Sequence, residues 1–203
     1  MPTAKKTRAR GEARRREILD VALDLFSERG FNAVSLADIA ATVGITQAGV
    51  LHHFRTKADL LLAALQERER RNAANDLERR ENGMTYLEAY LDQLRVNEER
   101  PPLIQLFALL SAESLTLDHP GHDWFAERYA KIDERVTAEL EKILDSAKLP
   151  PGLTVRIVAQ WLIGLPDGLR IQWLLDPDSM VRHESVRLFV ELLKPYMRET
   201  PQR

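Results

Sequence analysis

Apolar residues recur three and four positions apart along almost the whole chain, and no run alternates with β-branched enrichment as a half-buried strand would. The pattern predicts an all-α fold of about nine helices. The first, from about Glu12 to Arg29, puts Ile18, Ala22, Leu25 and Phe26 on one stripe and ends at Gly30, where a left-handed cap is wanted, before Phe31 re-enters the core. Ser35 with Asp38 caps a second helix ending at Gly44, and Thr46 caps a short third helix ending near Phe54. Thr56 with Asp59 opens a fourth, over about Lys57 to Arg80. Further helices are expected near 84–98, 102–117, 122–147, 154–175 and 181–197, punctuated by Arg100-Pro101-Pro102, His119-Pro120-Gly121, Pro150-Pro151-Gly152 and Asp176-Pro177-Asp178.

The fourth helix begins apolar at Leu60, Leu61, Leu62 and Leu65 and turns charged around Arg68 to Arg71, which marks a domain boundary. The expected organisation is a basic N-terminal arm over 1–11, a first helical domain over 12–72 and a second over 73–203. At 203 residues, 44% hydrophobic and 30% charged, the chain can bury a core. It holds no cysteine, which excludes disulfides, Cys-ligated metal clusters and a thiol nucleophile. Its apolar runs fall short of the ~20 residues that a membrane span needs, and no apolar stretch follows the basic start as in an export signal. The expectation is a cytoplasmic protein with no membrane partner.

The net charge of −2 conceals an asymmetry, since residues 1–57 hold ten Lys/Arg against six Asp/Glu. Within the first sixteen residues Lys5, Lys6, Arg8, Arg10, Arg14, Arg15 and Arg16 face Glu12 alone. A solvated tail has this composition, and so has an arm that meets a polyanion.

The sharpest motif lies between Leu36 and Phe54, where two short helices meet at Val43-Gly44-Ile45. Ala40 permits close approach, Gly44 can take the positive φ of a tight turn, and Ile39, Val43, Ile45 and Val50 supply a shared core. This geometry presents the third helix outward, as a helix-turn-helix that reads the major groove does.

The motif's residues also carry a family likeness: Ile18-Leu19-Asp20-Val21-Ala22, Gly30-Phe31, Ser35-Leu36-Ala37-Asp38-Ile39-Ala40, Val43-Gly44-Ile45-Thr46, His53-Phe54 and Lys57-Ala58-Asp59-Leu60-Leu61. Over residues 12–65 the chain resembles the TetR family of bacterial transcriptional regulators. The resemblance implies a homodimer with two N-terminal DNA-binding domains and helical C-terminal domains that hold an effector pocket. Carried onto this sequence, it marks Ser35, Thr46, Gln47, Ala48, Gly49, His52 and Lys57 as DNA-binding positions. Gln47 is the candidate for a base edge, and Lys57 at the start of the fourth helix the candidate for a phosphate. Lys5, Lys6, Arg8 and Arg10 would add contacts from the arm. Leu51 departs from the pattern, standing where the family often has a tyrosine that touches the DNA backbone. Packing is the alternative role for Leu51 and the favoured one for His53, beside Phe54.

In the C-terminal two-thirds, the stripes Val155, Val158, Ala159, Leu162, Leu165 and Val186, Leu188, Phe189, Leu192, Leu193 are wide enough for a two-fold four-helix interface. Val158, Gly164, Gly168, Leu169, Phe189 and Leu192 are the interface candidates, the two glycines allowing close approach; the alternative is a monomeric core helix. Pro166 inside a helix predicts a kink. Phe107, Trp124, Phe125, Tyr129, Trp161 and Leu165 are candidate pocket residues, although an aromatic stripe can equally be core. His119-Pro120-Gly121-His122-Asp123 reads as a turn into a helix rather than as a metal site, so no metal and no cofactor are expected. No nucleophile elbow, phosphate loop or paired-His zinc motif is present, and no catalytic residues are assigned.

The functional expectation is a non-enzymatic, ligand-responsive repressor that binds a pseudo-palindromic double-stranded DNA operator as a homodimer, with a small-molecule effector. The alternatives are an effector-independent activator or architectural protein, and a helical enzyme or carrier with a vestigial DNA-binding unit.

Overall fold

The computed structural model describes residues 3–198, with side chains from Arg8 onward. Among them nine α-helices follow one another: α1 Thr3–Arg29, α2 Leu36–Val43, α3 Gln47–His53, α4 Lys57–Glu81, α5 Tyr86–Glu98, α6 Pro101–Glu113, α7 His122–Ile143, α8 Val155–Leu175 and α9 Arg182–Leu192. A 3-10 turn at Lys194–Tyr196 follows, and the one extended pairing among the described residues is an isolated antiparallel bridge between Leu144 and Met197.

The largest departure from the sequence pattern is at α1, which starts at Thr3 rather than near Glu12. Ala, Lys and Arg are strong helix formers, and Gly11 costs only about 1 kcal/mol relative to alanine, so the basic segment joins the helix. Arg8 and Arg10 are exposed on it, whereas the side chains of Lys5 and Lys6 lie outside the described residues. Three helices end earlier than expected. A series of turns follows α6, and the strand-like pairing of Asp145 N–H with Tyr196 O (2.8 Å) and Arg198 N–H with Ile143 O (2.9 Å) follows α7. After α9, Pro195 sits at the start of the 3-10 turn, where its missing N–H is tolerated.

The described chain falls into two units. The first runs to Asn75 and includes Pro102–Gly121; the second takes Asp76–Pro101 and the chain from His122 onward. In the first unit Ile18, Leu19, Ala22 and Phe26 of α1, Ile39 of α2, Val50 of α3 and Leu60, Leu61 and Leu65 of α4 are fully or almost fully buried. Phe31 caps this set edge-on against Phe26, 5.3 Å between ring centres. An ion pair of 2.6 Å between Arg71 and Asp20 ties α4 to α1.

In the second unit α5, α7, α8 and α9 share a core that includes Leu87, Val136, Leu140, Val158, Leu162, Val186 and Val190. The α8 helix runs through Pro166 from Val155 to Leu175 without interruption. Val181, at the N-cap of α9, has no side-chain group to offer the free N–H groups of the first turn. Glu98, from α5, supplies the acceptor instead. Its carboxylate takes the His183 N–H at 2.8 Å, the His183 ring nitrogen Nδ1 at 2.5 Å and the guanidinium of buried Arg182 at 3.2 Å. No helix among the described residues is long and apolar enough to cross a membrane.

Candidate nucleic-acid interface

The turn between α2 and α3 is fixed at each residue. Ser35 begins α2 with a full capping box, its Oγ accepting from Asp38 N–H at 3.1 Å while its own N–H donates to Asp38 Oδ2 at 2.8 Å. At the other end Gly44 adopts φ 73° in the left-handed region, open to glycine at little steric cost. Its N–H bonds Ala41 O at 3.2 Å, and the Ile45 N–H reaches back to Ala40 O at 2.9 Å, closing the orphan carbonyls of α2. Thr46 then caps α3 by accepting from Gly49 N–H at 3.1 Å.

Fully buried Val50 anchors α3, and the opposite arc faces solvent. Gln47, Ala48, Leu51 and His52 are exposed, while Gly49 and His53 are half-buried. Four of the seven expected DNA-binding residues, Thr46, Gln47, Ala48 and His52, thus stand exposed together. Leu51 does so as well, at 41% exposure. The half-buried His53 ring lies 6.4 Å from the centre of the Phe54 ring. Burial first, then His52, Arg15 and Arg14, push its imidazole below the usual range, so it is neutral near pH 7.

Two of the N-terminal arginines hold this arrangement from behind. The Arg14 guanidinium donates to Val43 O at 3.3 Å, at the end of α2, and that of Arg15 lies 4.8 Å from the centre of the Phe54 ring.

Lys57 is engaged within its own unit. Its ammonium is turned inward, donating at 2.9 Å to both Phe31 O and Val34 O and lying 4.4 Å from the Phe31 ring centre. The loop between α1 and α2 leaves these carbonyls without helical partners, and the lysine satisfies them; a phosphate would have to compete with both. Ser35 is exposed, its hydroxyl donating to Asp38 Oδ2 at 2.6 Å. Arg55, just after α3, is an exposed cation that is not among the expected DNA-binding residues. Its sequence signal is a basic residue directly after the helix ends at Phe54.

The candidate pocket residues come from both units. In the first unit Phe107 is buried, with the Arg68 guanidinium 5.5 Å from its ring centre. In the second, Trp124 and Phe125 stack edge to face at 4.8 Å, and Leu165 is half-buried against the α5–α7–α8–α9 core. Tyr129 donates its hydroxyl to Asp167 Oδ2 at 2.7 Å, and Asp167 also pairs with Arg170 at 3.3 Å. Burial and then Asp167 raise the tyrosine's pKa, keeping that donor protonated. Trp161, on α8, is 51% exposed.

The interface candidates also divide. Val158 is fully buried in the protomer's own core, because the stripe it shares with Ala159 and Leu162 faces inward, and it is not available to a partner. Leu169 and Phe189 are partly buried against that core. Gly164 and Gly168 are exposed, and a Cβ added at either would meet open space. Around them Trp161, Ile171 and Leu175 of α8 and Leu188 and Leu192 of α9 are all more than half exposed.

His119 forms part of the turn after α6: its Nδ1 accepts from Gly121 N–H at 3.1 Å and lies 2.9 Å from buried Ser114 Oγ. A side chain at Gly121 would bring Cβ to 2.6 Å from that oxygen, so glycine is needed there for space. Among the described residues no group of three or more His, Asp or Glu side chains is placed to hold a metal ion.

Comparison with known proteins places this geometry. Residues 18–64 match the model of bacterial regulatory proteins of the tetR family, and residues 79–195, more than half the chain, match that of the C-terminal domain of BetI-type transcriptional repressors. The HTH-type transcriptional regulator AcrR of Shigella flexneri is 27% identical over 94% of this chain and 92% of its own. A TetR transcription regulator from Haloarcula marismortui superposes with a TM-score of 0.74 at 19% identity, over 92% of this chain and 100% of its own. A transcriptional regulator from Saccharomonospora viridis, solved in complex with choline, does so with a TM-score of 0.71 at 20% identity, over 92% and 98%.

Proposed function

This chain belongs to the TetR family of bacterial regulatory proteins, and from that premise we propose that it is a repressor that binds a pseudo-palindromic operator as a homodimer and releases it when a small-molecule effector binds. The observation that carries the reading is the exposed arc of Gln47, Ala48, Leu51 and His52 on a helix capped at Thr46 and anchored by Val50. Such a helix enters the major groove with its first residues at base edges. Gln47 offers the donor and acceptor pair that suits adenine, and His52 a further polar contact. Arg55 beside α3, and Arg8 and Arg10 on the extended α1, supply cations for phosphates, with Lys5 and Lys6 continuing the same basic segment.

The exposed apolar face of α8 and α9, with Gly164 and Gly168 at its middle, is the surface through which two protomers would join. An effector would act from the second unit, where the Tyr129–Asp167–Arg170 set offers polar groups beside aromatic ones. The choline bound by the Saccharomonospora regulator is one precedent for a small organic ligand in such a fold. An effector that prefers the DNA-incompetent state shifts the population toward it, and effector and operator then weaken one another by the same factor.

The test is selection of bound duplexes from a random pool by the purified protein and by Gln47→Ala. A recovered palindrome whose preference relaxes at one base pair per half-site in the variant supports the reading; a folded protein that enriches no sequence overturns it.

A further inference from the structure

The recognition helix carries an exposed leucine where a polar contact would be expected. At about 100° per residue, the exposed side chains of α3 spread over an arc of about 140° in the order Gln47, Leu51, Ala48, His52. Leu51 therefore lies inside the arc rather than at its rim, and at 41% exposure it stands open to a partner. Val50 already performs the anchoring, fully buried on the opposite side. Ala48, less than one turn away, continues the apolar surface, so α3 presents an apolar strip flanked by the amide of Gln47 and the imidazole of His52.

In the major groove one base carries an apolar group on its exposed edge, the C5-methyl of thymine. Resting on the reading of α3 as the groove-reading helix, we infer that Leu51, with Ala48 beside it, is a specificity residue that reads the C5-methyl of one thymine in each half-site. The aliphatic side chain cannot accept or donate a hydrogen bond, so it also disfavours bases whose polar edges would be desolvated against it. Specificity at that base pair is thus set by an apolar contact, next to a pair that Gln47 reads by hydrogen bonding.

The selected operator provides the test, with each half-site thymine replaced in turn by deoxyuridine, which removes only the methyl group. Affinities of the native protein and of Leu51→Ala are measured by fluorescence anisotropy at one salt concentration. Loss of one buried methyl corresponds to about fourfold in affinity per half-site and about fifteenfold when both are changed. The native protein is expected to show that loss at one thymine position, and Leu51→Ala to bind the unmodified operator correspondingly more weakly while becoming indifferent to uracil there. Placing 5-methylcytosine at the same position should restore a methyl-dependent gain for the native protein only. An operator whose every uracil substitution leaves native binding unchanged, or a Leu51→Ala protein that keeps the full uracil penalty, overturns the assignment of Leu51 while leaving α3 as the reading helix. Failure to enrich any operator overturns that underlying reading and the inference with it.

Discussion

The Tyr90 hydroxyl donates to the main-chain carbonyl of Leu162 at 2.8 Å. Leu162 stands four residues before Pro166, which has no N–H to return to it, so α8 runs through a proline because a side chain from α5 takes the place of the missing helix bond. Burial pushes the tyrosine's pKa far above its ordinary value, so the hydroxyl remains a donor at every working pH.

This arrangement predicts strong coupling between the two side chains. Tyr90→Phe strands a buried carbonyl and should lower stability by about 1–3 kcal/mol in urea unfolding. With Pro166→Ala in place, the restored N–H bonds Leu162 and the same tyrosine change should cost much less. Equal costs in both backgrounds would refute the substitution of one donor for the other.

The inward position of Lys57 separates stability from DNA affinity. Lys57→Met keeps the aliphatic stem but loses two charge-assisted bonds to Phe31 O and Val34 O, and should destabilise the fold by about 1.5–3 kcal/mol. The salt dependence of operator binding should barely change. Arg55→Ala, at an exposed site, should do the reverse, leaving the melting temperature in place and reducing the log–log salt slope by about 0.9 for each phosphate that the arginine neutralises. A reduced slope for Lys57→Met would return that lysine to the phosphate-binding role.

Which features were readable in the sequence depended on whether they were local. Ser35 with Asp38, Gly44 and Thr46 each act within a few residues, and their capping and turn roles follow from spacing alone. The exposed start of α3 follows from them. The direction of the Lys57 side chain does not, because its partners lie 23 and 26 residues away. Neither does the cap on α9, which comes from Glu98 some 85 residues distant, nor the Tyr90 bond that accommodates Pro166. Val158 illustrates a different limit. Two apolar stripes run along α8, periodicity identifies both, and only packing decides that Val158 faces inward while Trp161 faces out.

Acid should loosen the α2 cap and the α4 charge cluster. Ser35, through its side chain and then its N–H, holds the Asp38 carboxyl below its ordinary 3.8, and Thr85 does the same for Glu88 through its N–H and side chain. Glu67 is lowered from 4.5 to about 2, chiefly by the hydrogen bond from Arg70 and further by that from Arg71. A carboxylate whose folded pKa is depressed binds its proton more readily in the unfolded chain, so its stabilisation is complete above the unfolded pKa and is lost as pH falls through the folded one. For Glu67 that window runs from about pH 4.5 to about pH 2. Melting temperatures of the native protein and Glu67→Gln should therefore differ most near neutrality and converge across this window. A difference independent of pH would exclude the ionised carboxylate as its source.

The proposed dimer face can be tested by pairing substitutions whose effects on the monomer are opposite. Leu192 is 70% exposed, so Leu192→Asp should leave helicity intact while halving the mass seen in sedimentation. Val158→Asp places a carboxylate in the core and should unfold the protein instead. Gly164→Leu is the sharper probe. In a single chain a Cβ there meets nothing within 4 Å, and leucine favours the helix over glycine by roughly 0.8 kcal/mol, so the protomer should gain local stability. If a partner helix approaches closely at Gly164, the same side chain holds it off and dimerisation weakens. Because the two effects have opposite signs, a more helical protein with a raised dimer dissociation constant cannot arise from general damage to the fold; an unchanged constant for both Leu192→Asp and Gly164→Leu would move the interface elsewhere.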